Sequence, residues 1–282
     1  MTEKTVTDVN IEDVTVSVVI PYSESYTPRE MLSEAIESIE SQIGVDTDVI
    51  VIEDSDERGP AWARNVGLDR AETRYVAFLD ADDLWKETKL VKQLRLMKET
   101  GAGMCVDGEQ SYSPLEFAGA LLTAETFGLT SSILIDTEKV DVRFDESLER
   151  REDHLYMIEA AAEGGICFSA DTFIARKNEE GLSQHVDSSP EQIDEFFEKV
   201  VDRVPEVERF NSPYYQNSYI YLGRLRHFDK EYRTAVRYYL KSLRYGPNIK
   251  AVGAIGLTVL MLLYEYPLRP IRKHVTSSSV HE

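Results

Sequence analysis

In its first third the chain repeats one pattern, an apolar β-branched run followed by a stretch with helical spacing. "VTVSVVIPY" (residues 14–22), "TDVIVIEDSD" (47–56) and "RYVAFLDADD" (74–83) read as strands. Between them, "REMLSEAIESIESQ" puts Met31, Leu32, Ala35, Ile36 and Ile39 at helical intervals, and "GPAWARNVGLDRA" opens with Gly and Pro as a helix does. Strand, helix, strand, helix, strand implies βαβ units, an α/β fold and a mostly parallel sheet. Ligands of such sheets sit beyond the carboxyl ends of the strands.

Acidic residues gather at those ends. Glu53 and Asp54 close the second run, and Asp80, Asp82 and Asp83 the third. Carboxylates this close repel and raise each other's pKa unless water or a cation lies among them. A single acid there reads equally as a turn former or helix cap; two clusters at neighbouring strand ends point to a shared site.

At 282 residues and 42% hydrophobic composition the chain can bury one large core and a smaller appendage. Its 51 Asp and Glu against 31 Lys and Arg give a net charge of -20, which argues against nucleic acid as a partner. An acidic surface of this kind suits a salt-rich cytoplasm, where screening weakens self-repulsion, and so a halophilic source. Cys105 and Cys167 are too few for a disulfide framework or a cysteine-rich metal site and read as small core residues. The leader, residues 1–13, lacks the basic and apolar regions of a secretory signal, so a cytoplasmic protein is expected.

In their order and spacing, "VSVVIPY", "VIEDSD", "GPAWARNVGL" and "YVAFLDADDLW" resemble the inverting family 2 glycosyltransferases of the GT-A fold. The resemblance covers about the first 185 residues. It implies a Rossmann-like sheet that binds a nucleotide-sugar donor, with Pro21 ending the first strand beside it. Asp80 would lie toward the ribose and Asp82 would hold Mg²⁺ or Mn²⁺ at the diphosphate, with Asp83 supporting. Asp54, with Glu53 beside it, would meet a uracil base, although Ser55 stands where the family commonly has Gly. Arg64 and Asn65 match the "ARN" motif; Arg64 either meets the nucleotide or pairs with a strand-end carboxylate and orders the pocket. A hard cation among carboxylates is consistent with this chemistry, since it prefers oxygen ligands and keeps positions open for phosphate.

Further on, "EDHLYMIEAAAEG" begins a helix with Glu152 and Asp153, which look like the family's "ED" motif. By that likeness Glu152 faces the substrates and Asp153 is the base that deprotonates the acceptor hydroxyl; otherwise both are first-turn acids favoured by the helix dipole. "GLTSSILID", with Ser131, resembles the segment lining the acceptor side. "FIARKNEEGLSQH" resembles the closing strand and loop, where His185 would approach the metal, beside Gly181 and Ser183.

After Pro190 the pattern becomes helical. Tyr219, Leu222, Gly223, Ala235, Tyr239 and Pro247 fall at the spacing of one tetratricopeptide-type repeat, with Arg226 off the pattern; it must pack on flanking helices because one repeat cannot bury its own faces. "AVGAIGLTVLMLLYEY" reads either as a core helix closing that repeat or, with Arg269, Arg272 and Lys273 following, as an interfacial helix on anionic lipid. The organisation expected is a leader (1–13), a GT-A domain (14–189), a helical region (190–268) and a basic, then polar tail (269–282). The function expected is sugar transfer from a UDP-linked donor to a glycan or lipid-linked acceptor in cell-surface glycan biosynthesis or protein glycosylation. Two alternatives stay open, a nucleotidyltransferase that makes the sugar nucleotide and an inert nucleotide-sugar-binding module.

Overall fold

The computed structural model describes residues 14–126, 128–176 and 189–265. The central strand is β1 (Thr15–Tyr22), flanked on one side by β2 (Asp46–Glu53) and on the other by β3 (Tyr75–Phe78), both parallel to it. Val16, Val18, Val19 and Ile20 of β1 are fully buried, as a strand covered on both faces by helices requires. Between these strands lie α1 (Arg29–Glu40) and α2 (Pro60–Arg70), the elements their spacing predicts. Pro21 lies just past the last β1–β3 pair, Val19 with Phe78. Having no N–H, it donates nothing to that ladder, and β3 runs on into the acidic turn.

The sheet then departs from the all-parallel pattern. β5 (Met104–Asp107), β6 (Leu134–Asp136) and β7 (Ile166–Ser169) complete the order β2-β1-β3-β6-β5-β7, with β6 antiparallel to both β3 and β5. A two-stranded ribbon, β4 (Leu84–Trp85) with β8 (Phe173–Ile174), lies outside it. Cys105 and Cys167 are buried, free and in register on β5 and β7, the core role expected of them.

Two glycines explain how α2 sits. Gly59 caps it with φ 98°, a conformation that side chains resist. At Gly67 a Cβ would stand 2.2 Å from Val19 Cγ1, so only glycine lets α2 lie this close to β1. The remaining helices of this part are α3 (Lys89–Thr100), α4 (Pro114–Leu122), α5 (Glu152–Gly164) and α6 (Pro190–Arg203). Ser113 and Ser189 start α4 and α6 with reciprocal capping boxes to Glu116 and Gln192.

The chain forms two compact units, divided between Tyr214 and Tyr215. The composition change at Pro190 lies earlier, because amphipathic α6 belongs with the first unit. It buries Ile193, Phe196, Phe197 and Val200, and Lys199 donates to Asp145 at 2.8 Å. The second unit contains most of α7 (Asn211–Phe228), then α8 (Tyr232–Ser242) and α9 (Ile249–Glu265). Within it Tyr219, Leu222, Ala235 and Tyr239 are buried. A Cβ on Gly223 would meet the Tyr239 ring at 2.5 Å, which explains a glycine there. The leader and the tail lie outside the described residues.

Candidate active site

The site is assembled around one buried cation. Arg64, on α2 and 5% exposed, sends Nη2 to Asp80 Oδ1 at 2.8 Å and to Thr130 Oγ1 at 3.1 Å, and Nη1 to Glu152 Oε1 at 3.0 Å. Its guanidinium lies over the Phe144 ring, 5.3 Å from the centroid, and its Nε has no hydrogen-bond partner. Burial opposes the charge on Arg64, but Asp80 and Glu152 outweigh it and raise the pKa above the ordinary value. Burial pushes the Glu152 carboxyl up, its neighbour Asp153 adds to that, and Arg64 only partly reverses it. Three residues up to 88 positions apart in sequence thus meet as a desolvated acid–base–acid node. Removing Arg64 would leave the buried Glu152 carboxyl without its cation. Of the two roles expected for Arg64, pairing with a strand-end carboxylate is present.

The acidic turn after β3 is built from both sides. Thr130 donates to Asp80 Oδ2 at 2.9 Å, and the Asp80 N–H donates to Ser131 Oγ at 3.1 Å. Ser131 is fully buried and donates in turn to Asp83 Oδ2 at 2.6 Å. Burial pushes the Asp83 carboxyl up to about 6, against the bonds it accepts from Ser131 and from the Arg176 N–H at 3.0 Å. The buried Ser131 hydroxyl thus braces the acidic turn from behind, bonded to both Asp80 and Asp83. Asp82 is half-buried on the same turn, and its carbonyl accepts from Arg176 Nε at 2.6 Å.

Arg176 is a further residue of the site that no motif singles out. Two residues past β8, it donates to the Met31 carbonyl at 3.1 Å and pairs with Glu34, so it ties α1 to the acidic turn. In the sequence it is one of two adjacent basic residues in "FIARK", with no periodic partner to mark it. Trp85 is a second brace, its Nε1 donating to the Ser131 carbonyl at 2.8 Å.

Two expected contact residues are committed to local structure. The Asp54 carboxylate, buried at the end of β2, accepts from the Arg58 N–H at 2.9 Å and the Gly59 N–H at 2.7 Å, ordering the loop into α2. Each oxygen keeps a second lone pair for a ligand. Asn65 donates to the Phe144 carbonyl and to Glu146 and accepts from the Phe144 N–H, pinning residues 144–146. Glu53 ends β2 exposed, in register with Tyr22. His185, with Gly181 and Ser183, lies outside the described residues.

Asp153 stands half-buried in the first turn of α5, one Oδ1 accepting from the His154 N–H at 2.7 Å. The residue before the pair, Arg151, adopts a left-handed conformation at φ 63°. That conformation costs an arginine about 1–2 kcal/mol. Arg151 is held by the Tyr214 hydroxyl at 3.1 Å and by the Phe196 ring, so the turn that aims Glu152 and Asp153 is set from α6 and α7.

Among the described residues no three His, Cys, Asp or Glu side chains gather as a metal cage. The donors on the acidic turn are carboxylate oxygens, which suits a hard cation whose other positions are filled by phosphate and water.

Residues 29–143 match the model of Glycosyl transferase family 2. A teichuronic acid biosynthesis glycosyltransferase of Bacillus subtilis, TuaG, is 35% identical over 33% of this chain and 46% of its own length. The Escherichia coli enzyme WfgD, named a UDP-Glc:alpha-D-GlcNAc-diphosphoundecaprenol beta-1,3-glucosyltransferase, is 31% identical over 31% of this chain and 42% of its own. The matches thus span less than half of either relative. Among solved structures, residues 1–349 of Staphylococcus aureus TarS in complex with UDP-GlcNAc superimpose with a TM-score of 0.56 at 16% identity, over 89% of this chain and 87% of that one.

Proposed function

We propose that this chain, which carries a family 2 glycosyltransferase domain on a GT-A fold, transfers a sugar from a UDP-linked donor to a glycan or lipid-linked acceptor with inversion at the anomeric carbon. The observation that carries the reading is the Arg64 node, which joins Asp80 at the donor side to Glu152, the neighbour of Asp153, in one buried cluster. A UDP donor and a lipid-linked acceptor are supported by the name of WfgD. The cytoplasmic face of a membrane is where such an acceptor would be met. A halophilic source remains the reading of the acidic composition alone.

In this scheme Asp153 accepts the proton of the acceptor hydroxyl as that oxygen bonds to the anomeric carbon. The bond from that carbon to the diphosphate oxygen breaks, and its electron pair leaves with UDP. Asp153 stands in the first turn of α5 next to the residue that Arg64 holds, half-buried, as a carboxylate that must reach an acceptor hydroxyl does. Glu152, fixed by Arg64, holds the first turn of α5 in place. Asp80 meets the ribose, and Asp82, with His185, would hold Mg²⁺ or Mn²⁺. Such a cation, when bound, neutralises charge gathering on the departing diphosphate.

The reading is tested by release of UDP from a panel of UDP-sugars with manganese and with chelator. Release that needs both the metal and Asp153 supports it. No release from any UDP-sugar, with metal present and an undecaprenyl-diphosphate sugar as acceptor, overturns it.

A further inference from the structure

Helix α9 is built the reverse of a core helix. Its buried positions are small or polar: Ala251 and Thr258 are fully buried, and Thr258 Oγ1 lies 2.8 Å from His227 Nδ1 on α7. Its large apolar residues face out, with Leu257 57%, Leu260 65% and Tyr264 84% exposed, and Ile249, Val252 and Leu263 exposed beside them. At 100° per residue these six fall on one broad side. From Ile249 to Tyr264 the helix carries a single charge, Lys250. A continuous apolar face of this kind marks an interaction surface.

Charge indicates what meets it. Residues 215–282 hold 11 Lys and Arg against 4 Asp and Glu, a net of +7, while residues 1–214 hold 20 against 47, a net of -27. The apolar helix therefore belongs to the one basic part of an acidic chain, and the residues that follow it include Arg269, Arg272 and Lys273 with no acid before Glu282. Two copies meeting on this face would bring +7 against +7. Anionic lipid offers both an apolar phase and opposite charge, each basic residue near such a surface contributing about 1 kcal/mol. The 17 residues of α9 reach about 25 Å, short of the roughly 30 Å hydrocarbon core, and no described helix is long and apolar enough to cross a membrane. Such a helix fits lying along a membrane surface rather than across it.

We infer that the exposed face of α9 (Ile249–Glu265) docks the chain on the surface of an anionic lipid membrane, with the basic residues of the second unit supplying the electrostatic attraction. Docking needs no sugar transfer, so its failure would leave the donor-site reading untouched, and failure of UDP release would leave the docking intact.

The test is co-flotation of the full chain with vesicles of phosphatidylglycerol and phosphatidylcholine, and with phosphatidylcholine alone. Two variants are compared, Leu257→Ser/Leu260→Ser and Val252→Ser/Leu263→Ser. All four side chains are exposed, so the melting temperature should stay near that of the parent. Expected is flotation with the anionic vesicles, reduced about tenfold or more by either variant as apolar burial is lost, and likewise without the anionic lipid. Absence of flotation with the anionic vesicles overturns the inference, as does flotation indifferent to both variants. A stable dimer in light scattering that the same variants dissociate would assign the face to a second copy instead.

Discussion

The two units handle charge in opposite ways. In residues 1–214 the interior accepts charge: Arg64, Asp83 and Lys89 are all buried, each held by partners, while the surface carries the excess acid. Among the described residues of the second unit the buried polar groups are Ser218, Ser242 and Thr258, all neutral, and the apolar residues of α9 face outward. Buried ionised groups cost stability and persist where they organise a site. An outward apolar face also costs, and persists where something covers it. The contrast is what the two proposals rest on, sugar transfer in the first unit and lipid docking in the second.

The largest effect expected is at Asp153. Asp153→Asn keeps the shape and removes the basicity, so transfer should fall about a hundredfold or more while UDP affinity stays the same. Transfer near the parental rate would move the base elsewhere, Glu152 first. Loss of UDP affinity in step with the rate would make Asp153 a binding group.

Lys89 tests the other side of the contrast, charge buried without chemistry. Its Nζ donates to Gln93 Oε1 at 2.7 Å and lies over the Trp85 ring, and burial pulls its pKa down to about 7. Between pH 7 and the unfolded value near 10.5 the unfolded state binds more protons, so stability rises with pH across that window. Lys89→Met should therefore stabilise the chain at neutral pH, by a margin that shrinks toward pH 10. A margin independent of pH in melting experiments would mean that Lys89 keeps its charge on the Trp85 ring.

A smaller effect separates the units by salt. Screening should raise the melting temperature by relieving repulsion within the first unit and should weaken vesicle binding by the second. If both responses run in the same direction, the charge division has no bearing on docking.

The regular half of the fold was legible because β1, β2, α1 and α2 run for 8 to 12 residues each, long enough for a period to repeat. The ribbon of β4 and β8 has two residues per strand, and β6 three. No periodicity can express itself over such lengths, so β8 was legible only through the family resemblance and the antiparallel direction of β6 not at all. In the site, Asp80, Arg64 and Glu152 were each readable from motif order, but the bond joining them spans 88 positions and depends on packing. Asp54 and Asn65 carried the right motif and yet spend their hydrogen bonds on a loop entry and a loop anchor. Ser131 was legible only as part of a segment resembling the acceptor side; its bond to Asp83 depends on its burial behind the turn. Helix α9 was readable as apolar from composition; which side faces out required the position of α8 and α7 against it.

The most direct measurement is calorimetric titration of the full chain with UDP, in manganese and in chelator, for the parent and Asp82→Ala. The account predicts one UDP bound per chain with manganese, binding lost in chelator and lost in Asp82→Ala, and no change when anionic vesicles or the α9 variants are used. UDP that fails to bind in manganese, or binds equally well in chelator, would contradict it.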